Sequence, residues 1–409
     1  MVIISAPWIV PIDHPVIENG SIVVDDGLII DRGEREYIVQ KHPQCSETWH
    51  PFVLMPGLVN AHMHLELSHL KNSIEPLANK SFTEWIDSLI ALRTAKSRYQ
   101  TKIIESFVSG LLDQHKSGVV LIGDIGNESY TELQQCREGS RPHILRMLEF
   151  LGPNREACQT ALERLIQLDE SVAATGHAPY STAPELLVEL KKRCQRLQHI
   201  FSIHTAESPD EREFLRTGTG IFRDFLVQKN SWDGAFTFSE SGFPGTIEYY
   251  DHLGILDDRT MLVHCVDVTA SELRLIKARE AKICLCPGSN KFLGVGLAPV
   301  EQMVAIGLMP ALGSDSPASN DAVDIWREMQ LLVESQKKLE HSTVLSMATI
   351  GGAKALGRDT DYGSLAVGKK AEFIGVSSAA LSACSNGQQL LQELVSGGKP
   401  SKIEWFSTH

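Results

Sequence analysis

Two histidines one residue apart, His62 and His64, end the apolar stretch 53–64. In a β-strand, side chains two residues apart point to the same side, so both imidazoles can reach one point. Converging imidazoles are typical ligands of transition metals such as Zn²⁺. Histidine pairs are also common on protein surfaces, so this interpretation depends on what the rest of the chain places beside them.

Other residues with metal-binding or proton-transfer chemistry follow apolar runs further along the chain. They are His177, His204, Glu207, His264 and Asp315. Three imidazoles and one carboxylate can bind a single divalent ion and leave one position open for water. The predicted metal ligands are His62, His64, His204 and Asp315. The favoured ion is Zn²⁺, with Fe²⁺ as the alternative, and we expect one ion per chain.

The remaining two residues have roles in proton transfer. A bound metal can lower the pKa of water to about 7, which makes hydroxide available at neutral pH. Glu207 follows His204 by three residues and need not bind the metal, so we expect it to carry protons to the leaving group. His264 can either orient the water or bind the metal, and the sequence leaves both roles open.

The residues with this chemistry are carried by apolar runs that alternate with amphipathic helical segments. The predicted helical segments include 83–98, 102–116, 155–168, 184–197, 269–279 and 299–306. Eight runs have strand character: 53–64, 119–124, 143–150, 172–179, 200–204, 261–266, 283–287 and 309–315. This alternation is typical of parallel α/β folds, and eight units predict a (β/α)₈ TIM-like barrel. An open doubly wound sheet is the alternative, but no Gly-X-Gly-X-X-Gly follows a strand.

The position of the polar residues favours the metal site over scattered surface histidines. Four of the eight predicted strands end in histidine and one ends in aspartate. In a (β/α)₈ barrel the C-terminal strand ends meet at one rim, where the chemistry takes place. These side chains are therefore expected to face one another.

Short segments rich in β-branched residues lie at both ends of the chain. They predict a small, discontinuous β-sandwich domain built from residues 1–52 and 358–409. Residues 53–357 then form the metal-dependent catalytic barrel.

Composition excludes several classes of function. The chain has 409 residues and a net charge of −13, so it lacks the basic surplus that neutralises nucleic-acid phosphates. No apolar run is long enough to cross a bilayer, and no basic segment precedes an apolar run at the N-terminus. The eight cysteines are scattered without a Cys-X-X-Cys motif, which indicates reduced thiols in a cytoplasmic protein. We expect a small-molecule substrate and no nucleic-acid or membrane partner. The sequence leaves open whether the chain forms a homo-oligomer.

Together these motifs resemble those of the amidohydrolase superfamily, in its cytosine-deaminase-like and triazine-hydrolase-like branch. The matching segments span nearly the whole chain and are 56–64, 176–181, 204–207, 264–265, 286–290, 313–316 and 363–372. Segments 64–68 and 82–86 are most similar to aminofutalosine deaminases, and also to adenosylhomocysteine/methylthioadenosine deaminases. No lysine ends the fourth predicted strand, where relatives with two metals carry one, and this favours a single ion.

The resemblance implies hydrolytic deamination of an aminated purine or related ring, such as an adenine-type nucleoside. Metal-bound hydroxide attacks the amine-bearing carbon and ammonia leaves. Asp315 accepts the proton of the water, His264 orients the water, and Glu207 protonates the ring nitrogen and the leaving ammonia. The alternatives are another carbon–nitrogen hydrolase or a chlorohydrolase acting on triazine, guanine, cytosine or ureide substrates, and a non-catalytic metal-binding scaffold.

Five residues are candidates for substrate binding. They are Glu66, Arg93, His177, Ser289 and Asn290. His177 matches a substrate-contacting residue of this branch, and Glu66 directly follows the histidine pair. Arg93 can pair with a substrate carboxylate, with a solvated helix arginine as the alternative. Ser289 and Asn290 lie after the seventh predicted strand and can line the pocket or serve as turn residues.

Overall fold

The fold is taken from a computed structural model that describes residues 1–75, 81–94, 100–127, 142–234 and 242–407. The β-strands are β1 (Val2–Ile9), β2 (Ile17–Asp25), β3 (Leu28–Glu34), β4 (Ser46–Trp49), β5 (Val53–Pro56), β6 (Leu58–Met63), β7 (Val119–Gly126), β8 (His143–Phe150), β9 (Ala173–Gly176), β10 (Phe201–Thr205), β11 (Thr260–His264), β12 (Lys282–Leu285), β13 (Ala311–Leu312), β14 (Glu372–Ser377) and β15 (Lys402–Ser407).

The α-helices are α1 (Arg35–Lys41), α2 (Phe82–Thr94), α3 (Gln100–Lys116), α4 (Arg155–Gln167), α5 (Pro184–Leu197), α6 (Pro209–Thr217), α7 (Ile221–Gln228), α8 (Thr246–His252), α9 (Ala270–Ala278), α10 (Pro287–Leu293), α11 (Val300–Ala305), α12 (Ile325–Ser335), α13 (His341–Ser346), α14 (Gly352–Ala355), α15 (Ala379–Ser382) and α16 (Gly387–Ser396). A 3₁₀ helix covers Leu65–Leu70, and a π-helical turn covers Met347–Gly351.

Two four-stranded parallel sheets carry all eight predicted strands. The first sheet has the order β6-β7-β8-β9, and the second has the order β10-β11-β12-β13. Their strands are almost entirely buried; every residue of β6, β7 and β10, for example, is buried. Burial on both faces explains why these strands are nearly continuous apolar runs without alternation. The predicted parallel α/β class and the eight strand positions are confirmed.

Backbone hydrogen bonds join the two sheets at both of their edges. At one edge the His204 amide donates to the His177 carbonyl at 3.0 Å. At the other, the Ser314 and Asp315 amides both donate to the His62 carbonyl at 3.0 Å. Within the described ranges the strands form two ladders, not one, so closure into a single eight-stranded barrel stays a prediction.

The helices follow the sequence pattern closely. Helices α3, α4, α5, α9 and α11 match the predicted segments 102–116, 155–168, 184–197, 269–279 and 299–306 to within two residues at each end. Helix α2 begins with a capping box, since the Glu84 amide donates to Ser81 Oγ and Glu84 Oε2 accepts from the Ser81 amide. Residues 95–98 of the predicted helical segment 83–98 lie outside the described residues.

The two ends of the chain meet in one seven-stranded sheet. Its order is β15-β14-β5-β1-β2-β3, with β4 paired to β1. The pairing of N- and C-terminal segments is confirmed, but the predicted two-layer sandwich is not, because the strands share one hydrogen-bonded sheet. Strand β5 belongs to this sheet and reaches β6 through Gly57. A Cβ atom at Gly57 would lie 2.7 Å from Val120 Cβ, so the chain needs glycine for this close passage.

Two expectations from composition also bear on the described residues. None of the helices there combines the length and apolar character that a bilayer crossing requires. The seven cysteines in the described ranges are all free, and five of them are buried. Cys136 lies outside the described residues.

Candidate metal centre and active site

The predicted metal ligands converge at the C-terminal ends of the strands. His62 lies in β6, His64 directly follows it, His204 lies in β10 and Asp315 follows β13. One ligand atom from each lies within 4.8 Å of the others, and all four residues are buried. The imidazoles of His62 and His64 have centroids 5.0 Å apart, as expected for side chains on one side of a strand end.

The distances within this cluster fit a tetrahedral metal ion. His62 Nε2 lies 3.1 Å from His204 Nε2, and Asp315 Oδ1 lies 3.5 Å from His64 Nε2 and 3.7 Å from His62 Nε2. A tetrahedral ion with ligands at about 2.0–2.1 Å has ligand atoms about 3.3 Å apart. The observed spacing therefore leaves room for a single ion between the four side chains.

The protonation states suit metal binding. Burial, followed by the charge of His62, lowers the pKa of His64 to about 3, and burial lowers that of His204 well below its usual range. Burial alone would raise the pKa of Asp315, but a hydrogen bond to His62 and the charges of His264 and His64 bring it well below its usual range. Neutral imidazoles and an ionised carboxylate each offer a lone pair.

The Asp315 carboxylate is oriented by two hydroxyl groups. Ser289 Oγ and Ser319 Oγ donate to Asp315 Oδ2 at 2.5 and 2.9 Å. These bonds occupy Oδ2 and leave Oδ1 facing the histidines. The structure thus places Ser289, a candidate substrate contact, against a candidate metal ligand.

Glu207 and His264 adjoin this cluster. Glu207 Oε1 lies 3.5 Å from His264 Nε2, and both residues share a group of closely spaced ligand atoms with Asp315. Burial raises the pKa of Glu207 to about 7, against the lowering effect of His264. A carboxyl group in this range can take up and release a proton near neutral pH.

The turn that carries Glu207 is held by a second buried carboxylate, Glu211. Its Oε1 accepts from the Ala206 amide at 2.6 Å and from Thr246 Oγ1 at 2.5 Å. Its Oε2 accepts from the Glu207 amide at 3.4 Å. Glu211 lies in the first turn of α6, which begins at Pro209 and brings the side chain back to the strand end.

The tautomer of His264 is set by Asn290. His264 Nδ1 lies 2.9 Å from Asn290 Oδ1, a carboxamide oxygen that can only accept. Nδ1 therefore carries the proton, and Nε2 of the neutral ring is free to accept a proton or bind a metal. Asn290, the other candidate substrate contact after β12, thus contacts a candidate catalytic histidine.

The loops after β12 and β13 are tied together by Glu328, which is fully buried. Its Oε2 accepts from the Gly288 amide at 2.7 Å, and its Oε1 accepts from Asn320 Nδ2 at 2.8 Å. Asn320 Nδ2 also donates to the Ser314 carbonyl at 2.8 Å. Glu328 therefore links the turn before Asn290 to the turn before Asp315.

Several residues at these strand ends have a backbone conformation that is rare outside glycine. The φ angles are 49° at Ala206, 74° at His264, 49° at Cys265 and 54° at Asp315. Hydrogen bonds hold the chain in this form, among them Cys265 amide to Thr205 carbonyl at 3.0 Å. Strained residues of this kind cluster at functional sites, where the surrounding structure enforces them.

A buried ion-pair network adjoins the metal cluster on the side of the first sheet. Arg146 Nη2 donates to Glu66 Oε2 at 2.9 Å, and Arg146 Nη1 donates to Asp124 Oδ2 at 2.5 Å. Arg93 Nη2 donates to Glu66 Oε1 at 3.1 Å and to Asn127 Oδ1. Asp124 also accepts from the Leu65 amide at 3.0 Å, so the network fixes the chain directly after His64. Glu66 and Arg93, both candidate substrate contacts, are paired with each other.

His177 faces the same region from the end of β9. Its Nδ1 lies 2.6 Å from Ser181 Oγ, and burial lowers its pKa to about 4. A ligand atom of His177 also lies within 4.8 Å of atoms from His204 and Glu149. Burial raises the pKa of Glu149 to about 7.

The sequence interpretation missed the groups that support the site. They are Asp124, Arg146, Glu149, Glu211 and Glu328. A signal existed for the three on β7 and β8, since an ionisable residue inside an apolar strand must find a buried partner. Glu211 and Glu328 lie in charged helical segments that look solvated in sequence, and only the fold shows their burial.

Comparison with known proteins identifies the family of this chain. Residues 53–401 match the Amidohydrolase family. A 5-methylthioadenosine/S-adenosylhomocysteine deaminase from Desulfovibrio desulfuricans is 28% identical over 391 residues, which cover 90% of this chain and 81% of that protein. The Helicobacter pylori aminofutalosine deaminase in complex with methylthio-coformycin has a TM-score of 0.81 and 25% identity, and covers 98% of both chains. An adenosine deaminase from Xanthomonas campestris, solved with bound zinc, has a TM-score of 0.78 at 21% identity and covers 98% of this chain and 91% of its own.

The chain belongs to the amidohydrolase family, as its motifs predicted. It is accordingly a hydrolase of carbon–nitrogen bonds.

Proposed function

We propose that this protein is a metal-dependent deaminase that hydrolyses the exocyclic amine of an adenine-type nucleoside. The observation that carries the proposal is the arrangement of Glu207 and His264 beside the cluster of His62, His64, His204 and Asp315. The relatives named as methylthioadenosine/adenosylhomocysteine and aminofutalosine deaminases support the choice of substrate class.

The four clustered side chains would hold one divalent transition metal, Zn²⁺ or Fe²⁺. When bound, the metal supplies Lewis acidity that makes water acidic enough to react near neutral pH. The protein's own residues then handle the protons. Asp315 Oδ1 faces the histidines of the cluster, and His264 Nε2 lies beside the cluster; both atoms can accept a proton. The buried Glu207 carboxyl lies 3.5 Å from His264.

The reaction consumes one water molecule and releases one ammonia. The water oxygen forms a bond to the amine-bearing ring carbon, and a proton reaches the ring nitrogen from Glu207. The bond from that carbon to the exocyclic nitrogen then breaks, and the nitrogen leaves as ammonia with a proton taken from the water. Asp315 and Glu207 receive and return these protons, so both end the cycle in their starting states.

Ammonia release across a substrate panel tests the proposal. The panel holds adenosine, methylthioadenosine, adenosylhomocysteine, aminofutalosine, cytosine, guanine and a chlorotriazine. We expect ammonia from one or more of the adenine nucleosides, with about one metal ion per chain. Turnover confined to cytosine, guanine or the triazine would contradict the nucleoside assignment, and chloride release from the triazine would indicate the chlorohydrolase alternative.

A further inference from the structure

One buried carboxylate beside the site has no part in the proton transfers described above. Glu149, near the end of β8, is 4% exposed, and a ligand atom of it lies within 4.8 Å of atoms from His177 and His204. Asn127 Nδ2 donates to its Oε2 at 3.0 Å. Within the described residues no hydrogen bond reaches Oε1. Oε1 is therefore open to a hydrogen bond from a ligand or solvent group.

Glu149 lines a cavity large enough for part of a substrate. The cavity has a volume of about 770 Å³, which is in the usual range for small-molecule sites. Its lining includes Arg93, Asn127, Glu149, Phe150, Asn154 and Arg164. Glu149 thus stands between the metal cluster and this cavity, where a substituent extending from a ring at the metal would pass.

The charges around the cavity determine which kind of group can donate a hydrogen bond to Glu149. Arg93 and Arg164 both line it, and their guanidinium groups are anchored through Asn127. Arg93 lies close enough to stabilise the charged form of Glu149. An incoming ammonium group would be repelled by these two cations, whereas a neutral hydroxyl can donate to the carboxylate without that cost.

We propose that Glu149 is a specificity-determining residue that accepts hydrogen bonds from the sugar hydroxyl groups of the substrate. This inference rests on the proposed nucleoside function and narrows it. The preferred substrates are then hydroxylated nucleosides, and loss of the hydroxyl should weaken binding by about 10–100-fold, as expected for a hydrogen bond to a charged acceptor.

The test compares adenosine with 2′-deoxyadenosine and 3′-deoxyadenosine in the metal-loaded enzyme. For the wild type we expect kcat/KM to be about 10–100-fold higher for adenosine than for one or both deoxynucleosides. In Glu149→Leu this preference should fall to within about threefold, because the acceptor is gone. Glu149→Gln keeps one acceptor oxygen, so its preference for adenosine should lie between those of the wild type and Glu149→Leu. Metal content should stay at about one ion per chain in both variants.

Glu163→Gln is the matched control, since Glu163 is exposed on α4, the helix beside the cavity, and is not among the residues that line the cavity. It should keep the wild-type preference. The inference is overturned if Glu149→Leu lowers kcat/KM equally for all three nucleosides, or if the variant loses its metal. A wild type that deaminates nucleosides without a hydroxyl preference overturns this inference alone, whereas one that deaminates only sugar-free rings overturns the proposed function as well.

Discussion

The sheet β6–β9 and the sheet β10–β13 have the same number of strands and the same parallel order, but they equip the site differently. The second sheet contributes Glu207 and His264, both candidates for proton transfer, on turns with strained backbone. The first contributes the recognition candidates Glu66, His177 and Glu149. The candidate metal cluster takes two of its four side chains from the strand ends of each sheet.

The difference lies in how the side chains are held. On the second sheet, buried carboxylates accept from backbone amides and so fix the turns themselves, as Glu211 and Glu328 do. On the first sheet, backbone amides also donate to Asp124 and Glu66, but side-chain ion pairs add to these bonds, as between Glu66 and Arg93. Groups that react need fixed positions. Groups held by side-chain pairs can be exchanged without rebuilding the backbone, which suits the part of a site that distinguishes substrates.

Removing one ligand from each sheet tests whether the metal joins them. His64→Asn and His204→Asn should each lose nearly all bound metal and all measurable turnover, because each removes one of four ligands. Metal analysis of the purified variants and ammonia release would check this. Two tightly bound ions in the wild type, or a full ion in either variant, would contradict a single site shared between the sheets.

Glu207→Gln should lower kcat about 10³-fold and leave the metal content unchanged, since the amide cannot transfer the proton. Glu213→Gln, on the exposed side of α6, is the control and should behave like the wild type. Activity of Glu207→Gln within about tenfold of the wild type would remove this residue from the reaction.

Asn290→Leu should lower kcat about 10–100-fold with KM nearly unchanged, because His264 loses the acceptor that sets its tautomer. Asn290→Asp keeps an acceptor oxygen and should retain much more activity. Steady-state kinetics of both variants, together with ¹⁵N NMR of the histidine rings, separates tautomer control from a packing role. Equal losses in the two variants would argue for packing alone.

The smallest effect is expected on the first sheet. Arg93→Met should raise KM for a nucleoside that carries a carboxylate about tenfold and change KM for adenosine by less than threefold. The physical reason is that Arg93 lines the cavity and is 26% exposed, so it can reach a substrate anion. An unchanged kcat/KM for the carboxylated substrate would show that Arg93 does not bind the substrate and serves only to pair with Glu66.

The strands and metal cluster were predictable because they leave local signals. Each strand of the two parallel sheets is an apolar run, and each candidate ligand lies at the end of such a run. The residues at the C-terminal strand ends could therefore be predicted from the sequence alone. The family could be recognised from the same motifs, and the match to residues 53–401 confirms it.

The supporting groups could not be predicted, because their role depends on distant partners. Arg146 has no partner that its own strand reveals, and its partners Asp124 and Glu66 lie 22 and 80 residues earlier in the chain. Helix α6 escaped prediction for a related reason, since two of its three buried residues are apolar and the third is the carboxylate of Glu211. A short helix with so little apolar surface has no clear helical period in sequence.

The seven-stranded sheet at the chain ends has a consequence for the order of folding. Strand β5, which leads into His62, pairs with β14, where Pro56 faces Phe373 more than 300 residues later. The other side of the metal cluster depends on Asp315, whose amide bonds to His62. Contacts so far apart in sequence form slowly. In a ribosome-bound chain that ends before β14, the strand that leads into the first two histidines therefore pairs with β1 alone. We expect metal capture to be a late step of folding.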